Sequence, residues 1–314
     1  MVISKSPDPL PSPFPLCHQD SRLRTHDPIP KIQQMLFFKY ISHWPLRRLY
    51  WLADFLFWLM YSVIGYRKKM VMSNLAASFP EKPAAEIQQI ARDFYRQLAD
   101  VIVEIIKLPG FSAAEIQERM QIENIELLQY YQAQNQPVLA FGAHYANWEW
   151  VSSGLTRRSV PAEAVYKPLT DQLSEKLMQH IRTAHGPGIV PMQRVTRELL
   201  ARRKEFRVVG LVADQSPHDP KFAYWLPFLG QRTSFFPGLE KLAVSMQMPV
   251  VYVEVIRQKR GHYVARFSLI AEPPHANIAP ESITTACKDK LEQIIRQKPA
   301  DWLWSHDRWK WNRL

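Results

Sequence analysis

Cysteine is almost missing from this chain, with only Cys17 and Cys287 in 314 residues. Two thiols so far apart form neither a disulfide framework nor a CxxC pair, which points to a reducing compartment. Other chemistries drop out through missing motifs. The chain has no HExxH and no Cys/His cluster, so no metal site is expected. GxSxG is absent, which removes the serine elbow of the α/β-hydrolases. GxGxxG and the Walker A loop are absent too, leaving no dinucleotide or P-loop site. No nucleic-acid-binding signature accompanies the basic charge. The N-terminus lacks the apolar core of a signal peptide, and no internal repeat is visible.

What remains is basic, aromatic and apolar. A formal charge of +11 and a pI near 9.6 imply an acidic partner: anionic lipid, an acidic carrier protein or nucleic acid. The 10 Trp, 12 Tyr and 15 Phe favour lipid, because amphipathic aromatics suit membrane interfaces. With 46% hydrophobic residues the chain can bury a substantial core, as one large α/β domain with an appendage or as two domains.

Three regions follow one another. Residues 1–34 are Pro-rich and aperiodic and read as a disordered tail, with Met35 the expected natural start. Residues 35–69 carry an apolar centre, LYWLADFLFWLMYSVIGY, from Leu49 to Tyr66, with Asp54 its one charge. Arg47 and Arg48 precede it and Arg67, Lys68 and Lys69 follow, so the positive-inside rule gives no orientation. A membrane anchor is expected, either spanning or lying in the interface; a buried core helix is the alternative. Residues 70–314 form the third region. Helices are expected through 70–131, including Glu86 to Lys107 and one opened by a Ser112/Glu115 capping box. Beyond them strands alternate with helices: strands at 138–141, 162–169, 188–191, 207–213, 250–256 and 263–270, and a loop at 216–238 with a turn at Leu229-Gly230-Gln231. That alternation predicts an α/β fold with a central, mostly parallel sheet flanked by helices.

The candidate chemistry sits in residues 137–150, PVLAFGAHYANWEW. The run Val138 to Phe141 reads as a buried strand broken by Gly142, with Asn147 as the N-cap of the next helix. His144 then lies in the turn and Glu149 in the first helical turn. There Glu149 would hold one imidazole nitrogen and leave the other to take a proton from a hydroxyl. The spacing alone is weak. Ten His, each with about a 9% chance of an acid five residues on, supply about one such pair by accident. A core His beside a helix-start carboxylate fits the same pattern. Asp214 and Gln215, at a strand end, either shape a ligand pocket or cap the strand, and Thr233 and Gly238 carry the same two readings. Arg197, Arg202 and Arg203 form a basic helix that faces a carrier protein, a phosphorylated lipid or solvent. The tryptophans around His306 read as packing or interface anchoring.

Several segments in order, YRKKMVMSNLAASFPEK (66–82), FGAHYANWEW, AVYKPLTD (164–171), VADQSPHDPKFAYWLPFLGQRTSFFPGLEKLA (212–243) and ADWLWSHDRWKW (300–311), resemble the late lipid A acyltransferases. These are lauroyl and myristoyl transferases of Gram-negative bacteria, within the wider His-x4-acid acyltransferases. The resemblance spans most of residues 36–312. It implies His144 as general base oriented by Glu149, with Asn147, Lys167, Asp214, Gln215, Thr233 and Gly238 around the substrates. It implies an acyl-carrier-protein or coenzyme A thioester as donor and a lipid A precursor or related glycolipid as acceptor. No cofactor is implied, and the place is the bacterial inner membrane with the catalytic domain on its cytoplasmic side. A lysophospholipid or amino-acid-lipid acceptor, or a non-catalytic lipid-binding protein, are the rival expectations. Two positions depart from the pattern: Lys167 where relatives often carry Arg, and Ala146 where many carry Gly.

Overall fold

The computed structural model describes residues 29–313. The tail expected over 1–34 lies mostly outside them, but its last residues are helical. Helix α1 (Ile29–Ser42) begins there and is followed by α2 (Leu46–Trp58), α3 (Lys68–Ser78), the long α4 (Ala84–Lys107) and α5 (Ala113–Arg119). The Ser112/Glu115 capping box is formed as expected: the Ser112 hydroxyl accepts from the Glu115 amide while the Glu115 carboxylate accepts from the Ser112 amide. Next come β1 (Met120–Glu123), α6 (Ile125–Ala133), β2 (Val138–Gly142), α7 (Val151–Thr156), β3 (Ala162–Tyr166), α8 (Gln172–Thr183), β4 (Gly188–Pro191), α9 (Val195–Ala201) and β5 (Val208–Val212). The chain closes with β6 (Tyr224–Phe228), β7 (Gln231–Phe235), α10 (Gly238–Met246), β8 (Val250–Lys259), β9 (His262–Ala271) and α11 (Ser282–Gln297).

Among the described residues, seven strands make one sheet in the order β1-β9-β8-β2-β5-β3-β4. Strands β8, β2, β5, β3 and β4 run parallel, whereas β9 opposes β8 and carries β1 beside it. The mostly parallel sheet is therefore as expected. Central β2 is buried at all five positions, the continuous apolar run that a strand covered on both faces requires. Each of its large side chains contributes about 1.5–3 kcal/mol by leaving water.

Two elements were hidden from the sequence. Strand β1 is four residues long at the sheet edge, too short for periodicity to reveal inside a helical region. Residues 224–235, expected as loop around a turn at Leu229-Gly230-Gln231, form a hairpin: the turn is where expected, at Leu229 and Gly230, both at positive φ, but strands flank it. A Leu in that conformation and Pro227 within the first strand mask the usual hairpin signal.

The apolar segment is not one long helix. Among the described residues no single helix is long and apolar enough to cross a membrane; Leu46–Val63 and Lys68–Ser78 are instead bent by 84°. A π-helical turn, Leu59–Val63, and Gly65 at φ 63° make the break. One face of α2, Leu49 and Ala53, is buried against Ala99 and Val103 of α4. Its opposite stripe, Trp51, Phe55 and Trp58, stays more than half exposed.

Candidate active site

Strands β2 and β5 are neighbours, and their register pairs Gly142 with Val212. Two residues past the end of each strand, in the backbone that follows, stand His144 and Asp214, so the pairing of the two strands brings them side by side. The result is a close pair: His144 Nδ1 lies 2.7 Å from Asp214 Oδ1, and the His144 amide donates to Asp214 Oδ2 at 3.0 Å. Trp302 Nε1 donates to the same Oδ2 at 2.8 Å. Burial by itself would raise the Asp214 carboxyl, but the neighbouring imidazole and these three hydrogen bonds outweigh it and hold it below its ordinary value. An ionised carboxylate only accepts, so Nδ1 carries the proton and Nε2 presents a lone pair. Gln215 Nε2 lies 3.3 Å from that Nε2.

The expected His144–Glu149 dyad is therefore corrected. Both Glu149 oxygens are taken by Arg182 of α8, at 2.9 Å to Nε and 2.6 Å to Nη2, and the orienting nitrogen of His144 is taken by Asp214. The fork-on-carboxylate geometry raises the Arg182 guanidinium, the Glu149 hydrogen bonds outweighing a burial effect that lowers it. Glu149 and Arg182 still line the same cavity as His144.

That cavity, about 510 Å³, opens at His144 and runs down the sheet. Its wall repeats the strand period: Ala140 and Gly142 on β2, Ala164 on β3, Val208 and Gly210 on β5, Val253 and Val255 on β8. From Val212 at the mouth to Val208 is about 13 Å at a parallel-strand rise of about 3.3 Å per residue. Small side chains in the middle strands leave the groove that larger ones would fill.

The other expected site residues divide clearly. Lys167 is exposed at the cavity mouth and Gln215 lines it. Asn147 does not cap the next helix, which begins with a 3₁₀ turn at Trp148–Trp150; it is fully buried and donates to Glu104 Oε2 at 2.8 Å. Thr233 is buried in the hairpin, accepting from Trp309 Nε1 at 2.7 Å, and Gly238 opens α10; neither lines the cavity. Position 146 favours Gly for a backbone reason: Ala146 sits at φ 50°, which costs an L-residue about 1–2 kcal/mol. Arg202 is engaged by Glu163 and Glu205, and Arg203 borders a hollow beside residues 134–137, at the end of the sheet away from His144. His306 accepts from the Ser216 amide at 3.1 Å and steadies the loop after Gln215. Sequence reasoning missed Arg182, which nothing in its amphipathic helix distinguishes, and the contact of Trp302, whose partner lies 88 residues away.

A carboxylate-oriented imidazole at the mouth of an apolar cavity belongs here to an acyltransferase, an enzyme that transfers acyl groups. The family model described as bacterial lipid A biosynthesis acyltransferase matches residues 32–311, and the chain belongs to that family. Among solved structures it is similar to a 1-acyl-sn-glycerophosphate (LPA) acyltransferase, PlsC, from Thermotoga maritima. That similarity has 13% identity over 82% of this chain and 100% of the other, with a TM-score of 0.35, too low to carry an argument. No curated protein matches.

Proposed function

We propose that this protein moves a fatty acyl chain from an acyl-carrier-protein or coenzyme A thioester to a hydroxyl of a lipid A precursor. The observation that carries the mechanism is the 2.7 Å contact between His144 Nδ1 and Asp214 at the mouth of an apolar cavity. The acyl tail lies in the cavity with its thioester carbonyl beside His144. The acceptor hydroxyl gives its proton to Nε2 as its oxygen bonds to that carbonyl carbon. The carbonyl electrons move onto oxygen, and the Gln215 amide and the Lys167 ammonium, both lining the cavity, are candidate donors to the oxyanion. Collapse breaks the carbon–sulfur bond, and the departing thiolate takes the proton from the imidazolium. Asp214 stabilises that imidazolium throughout.

The same reading places the enzyme on a membrane surface. The exposed stripe Trp51, Phe55 and Trp58, with Arg47, Arg48, Lys68 and Lys69 around it, suits an interface of anionic lipid. Because the other face of α2 is buried in the protein, an interfacial position fits better than a spanning one. Lipid mass spectrometry of the native membrane with and without the protein tests the acceptor: a lipid A species lacking one acyl chain is expected, and a change confined to phospholipids refutes it. His144→Ala tests the base, with a loss of about 10²–10⁴ in kcat expected. Flotation with vesicles of phosphatidylethanolamine and phosphatidylglycerol tests the surface: binding is expected to fall when Trp51, Phe55 and Trp58 become Ser.

A further inference from the structure

Behind the catalytic turn lies a carboxylate that the chemistry above does not use. Glu104, on α4, is fully buried, yet three side chains from three other parts of the fold converge on it. Tyr50 of α2 donates to Oε1 at 2.9 Å, and Tyr263 of β9 donates to Oε2 at 2.7 Å. Asn147 of the turn donates to Oε2 at 2.8 Å. The backbone oxygen of Glu104 also accepts from Trp150 Nε1 at 3.2 Å. An ionisable group in such a place has to be matched by donors on all sides, and here it is.

The turn needs holding. Ala146 is at φ 50°, a conformation that reverts unless its surroundings fix it. On one side the C-terminal segment fixes it: the Ala146 amide donates to the Asp301 carbonyl at 2.8 Å, and Leu303 donates to the His144 carbonyl at 3.0 Å. On the side facing α4 two side chains tie it to Glu104: Asn147 to the carboxylate and, three residues on, Trp150 to the backbone oxygen. The next residue, Trp148, sets its ring edge-on against the His144 imidazole, with centroids 4.9 Å apart. A shift of Asn147 therefore moves the ring that backs the imidazole. Of the two other side chains on the Glu104 carboxylate, Tyr263 belongs to β9 in the sheet and Tyr50 to α2, the helix whose outer stripe is exposed aromatic.

We infer that Glu104 is a positioning residue for acyl transfer, holding the His144 turn through Asn147 and making that hold depend on the seating of α2 through Tyr50. This rests on the reading of His144 as the base. Helix α2 is then more than an anchor: when it is seated on α4, the Tyr50–Glu104–Asn147 line is complete and the imidazole stands in register with Asp214.

A charge swap tests the line. In Asn147→Asp two carboxylates meet where an amide met a carboxylate. In the double variant with Glu104→Gln the amide and carboxylate simply change places. The full-length protein is assayed in mixed detergent–phospholipid micelles, with dodecanoyl-acyl-carrier-protein as donor and an under-acylated lipid A precursor as acceptor. Rates are normalised to the folded fraction measured by circular dichroism. Asn147→Asp is expected to lower kcat by about 10- to 100-fold with KM little changed, the signature of a displaced catalytic group. The double variant recovers most of that loss, and Tyr50→Phe lowers kcat about fivefold at unchanged KM. A folded Asn147→Asp enzyme with wild-type kcat overturns the inference, as does a double variant no better than the single one. Should the swapped proteins not fold, Tyr50→Phe decides alone, and a wild-type kcat there overturns it. His144→Ala in the same assay separates the two readings. If that variant is inactive and the swap fails, only the role of Glu104 falls; if it is fully active, the base assignment falls with it.

Discussion

Replacing Asp214 with Asn changes one atom's identity and reverses the chemistry of the site. Oδ2 of Asp214 receives two donors, the His144 amide at 3.0 Å and Trp302 Nε1 at 2.8 Å, while Oδ1 receives His144 Nδ1. An Asn side chain has one oxygen, and the position facing two N–H groups claims it. Its NH2 then points at Nδ1, which must become the acceptor, and the ring proton moves to Nε2. The nitrogen that faced the substrate hydroxyl with a lone pair now carries hydrogen and cannot take a proton. The stabilisation of the imidazolium goes as well: at 2.7 Å and an effective dielectric of about 20 that attraction is about 6 kcal/mol, which bounds the loss. General-base catalysis accounts for about 10²–10⁴ in rate, or about 3–5 kcal/mol of barrier, inside that bound. The expected result is a fall of that size in kcat with KM for both substrates nearly unchanged. It is read by single-turnover release of the carrier thiol from a protein shown to be folded. A folded Asp214→Asn enzyme within about threefold of the wild-type kcat would refute the assignment of Asp214 as the group that sets the tautomer.

Three further outcomes follow from the same geometry. Gly210 lines the cavity, and an added Cβ would meet its nearest neighbour, the Glu163 carbonyl, at an ordinary 3.7 Å, so Gly210→Leu is expected to put its side chain into the groove midway. The variant should keep activity with short acyl donors and lose it with long ones, measured across a donor series. Glu149 and Arg182 form a bidentate pair with the Glu149 side chain only 9% exposed. Urea unfolding of Arg182→Gln should show a loss of about 2–4 kcal/mol, with Glu149→Gln/Arg182→Gln less destabilised than the two single losses added. Finally, burial pushes His306 down to about 4. The unfolded chain binds a proton there near pH 6.5 that the folded chain refuses, so stability falls as pH drops from about 6.5 to about 4 and levels off below. His306→Gln, which keeps an acceptor for Ser216, should flatten that part of the melting-temperature profile.

Much of the architecture was legible because it is written in local patterns. The buried run Val138 to Phe141, the break at Gly142, the capping box at Ser112 and the helix expected from Glu86 to Lys107 all came from neighbouring residues, and the structure agrees, the helix opening two residues earlier at Ala84. The strands at Gly188, Val208, Val250 and His262 follow the expected positions within a few residues. The failures have local causes as well. The short strands beside the expected turn at Leu229 look like loop, and an apolar run of helical composition gives no warning of a π-turn and a bend. Lys167 was placed around the substrates by resemblance and Gln215 by its strand end as well, and both line the cavity, whereas Thr233 and Gly238 proved to hold the hairpin and open α10.

The sequence by itself determined that His144 would stand in a turn just past a buried strand, because strand, Gly142 and the following turn are contiguous. It also determined that the chain is strongly basic and rich in aromatics. Which carboxylate orients the imidazole was a matter for tertiary structure alone. Glu149 is five residues away and Asp214 seventy, but sheet order puts β5 beside β2, and the Gly142–Val212 register carries Asp214 to within 2.7 Å. A hydrogen bond depends on distance in space. The nearer residue in sequence was turned by its helix toward Arg182, and the farther one was brought to His144 by the pairing of two strands.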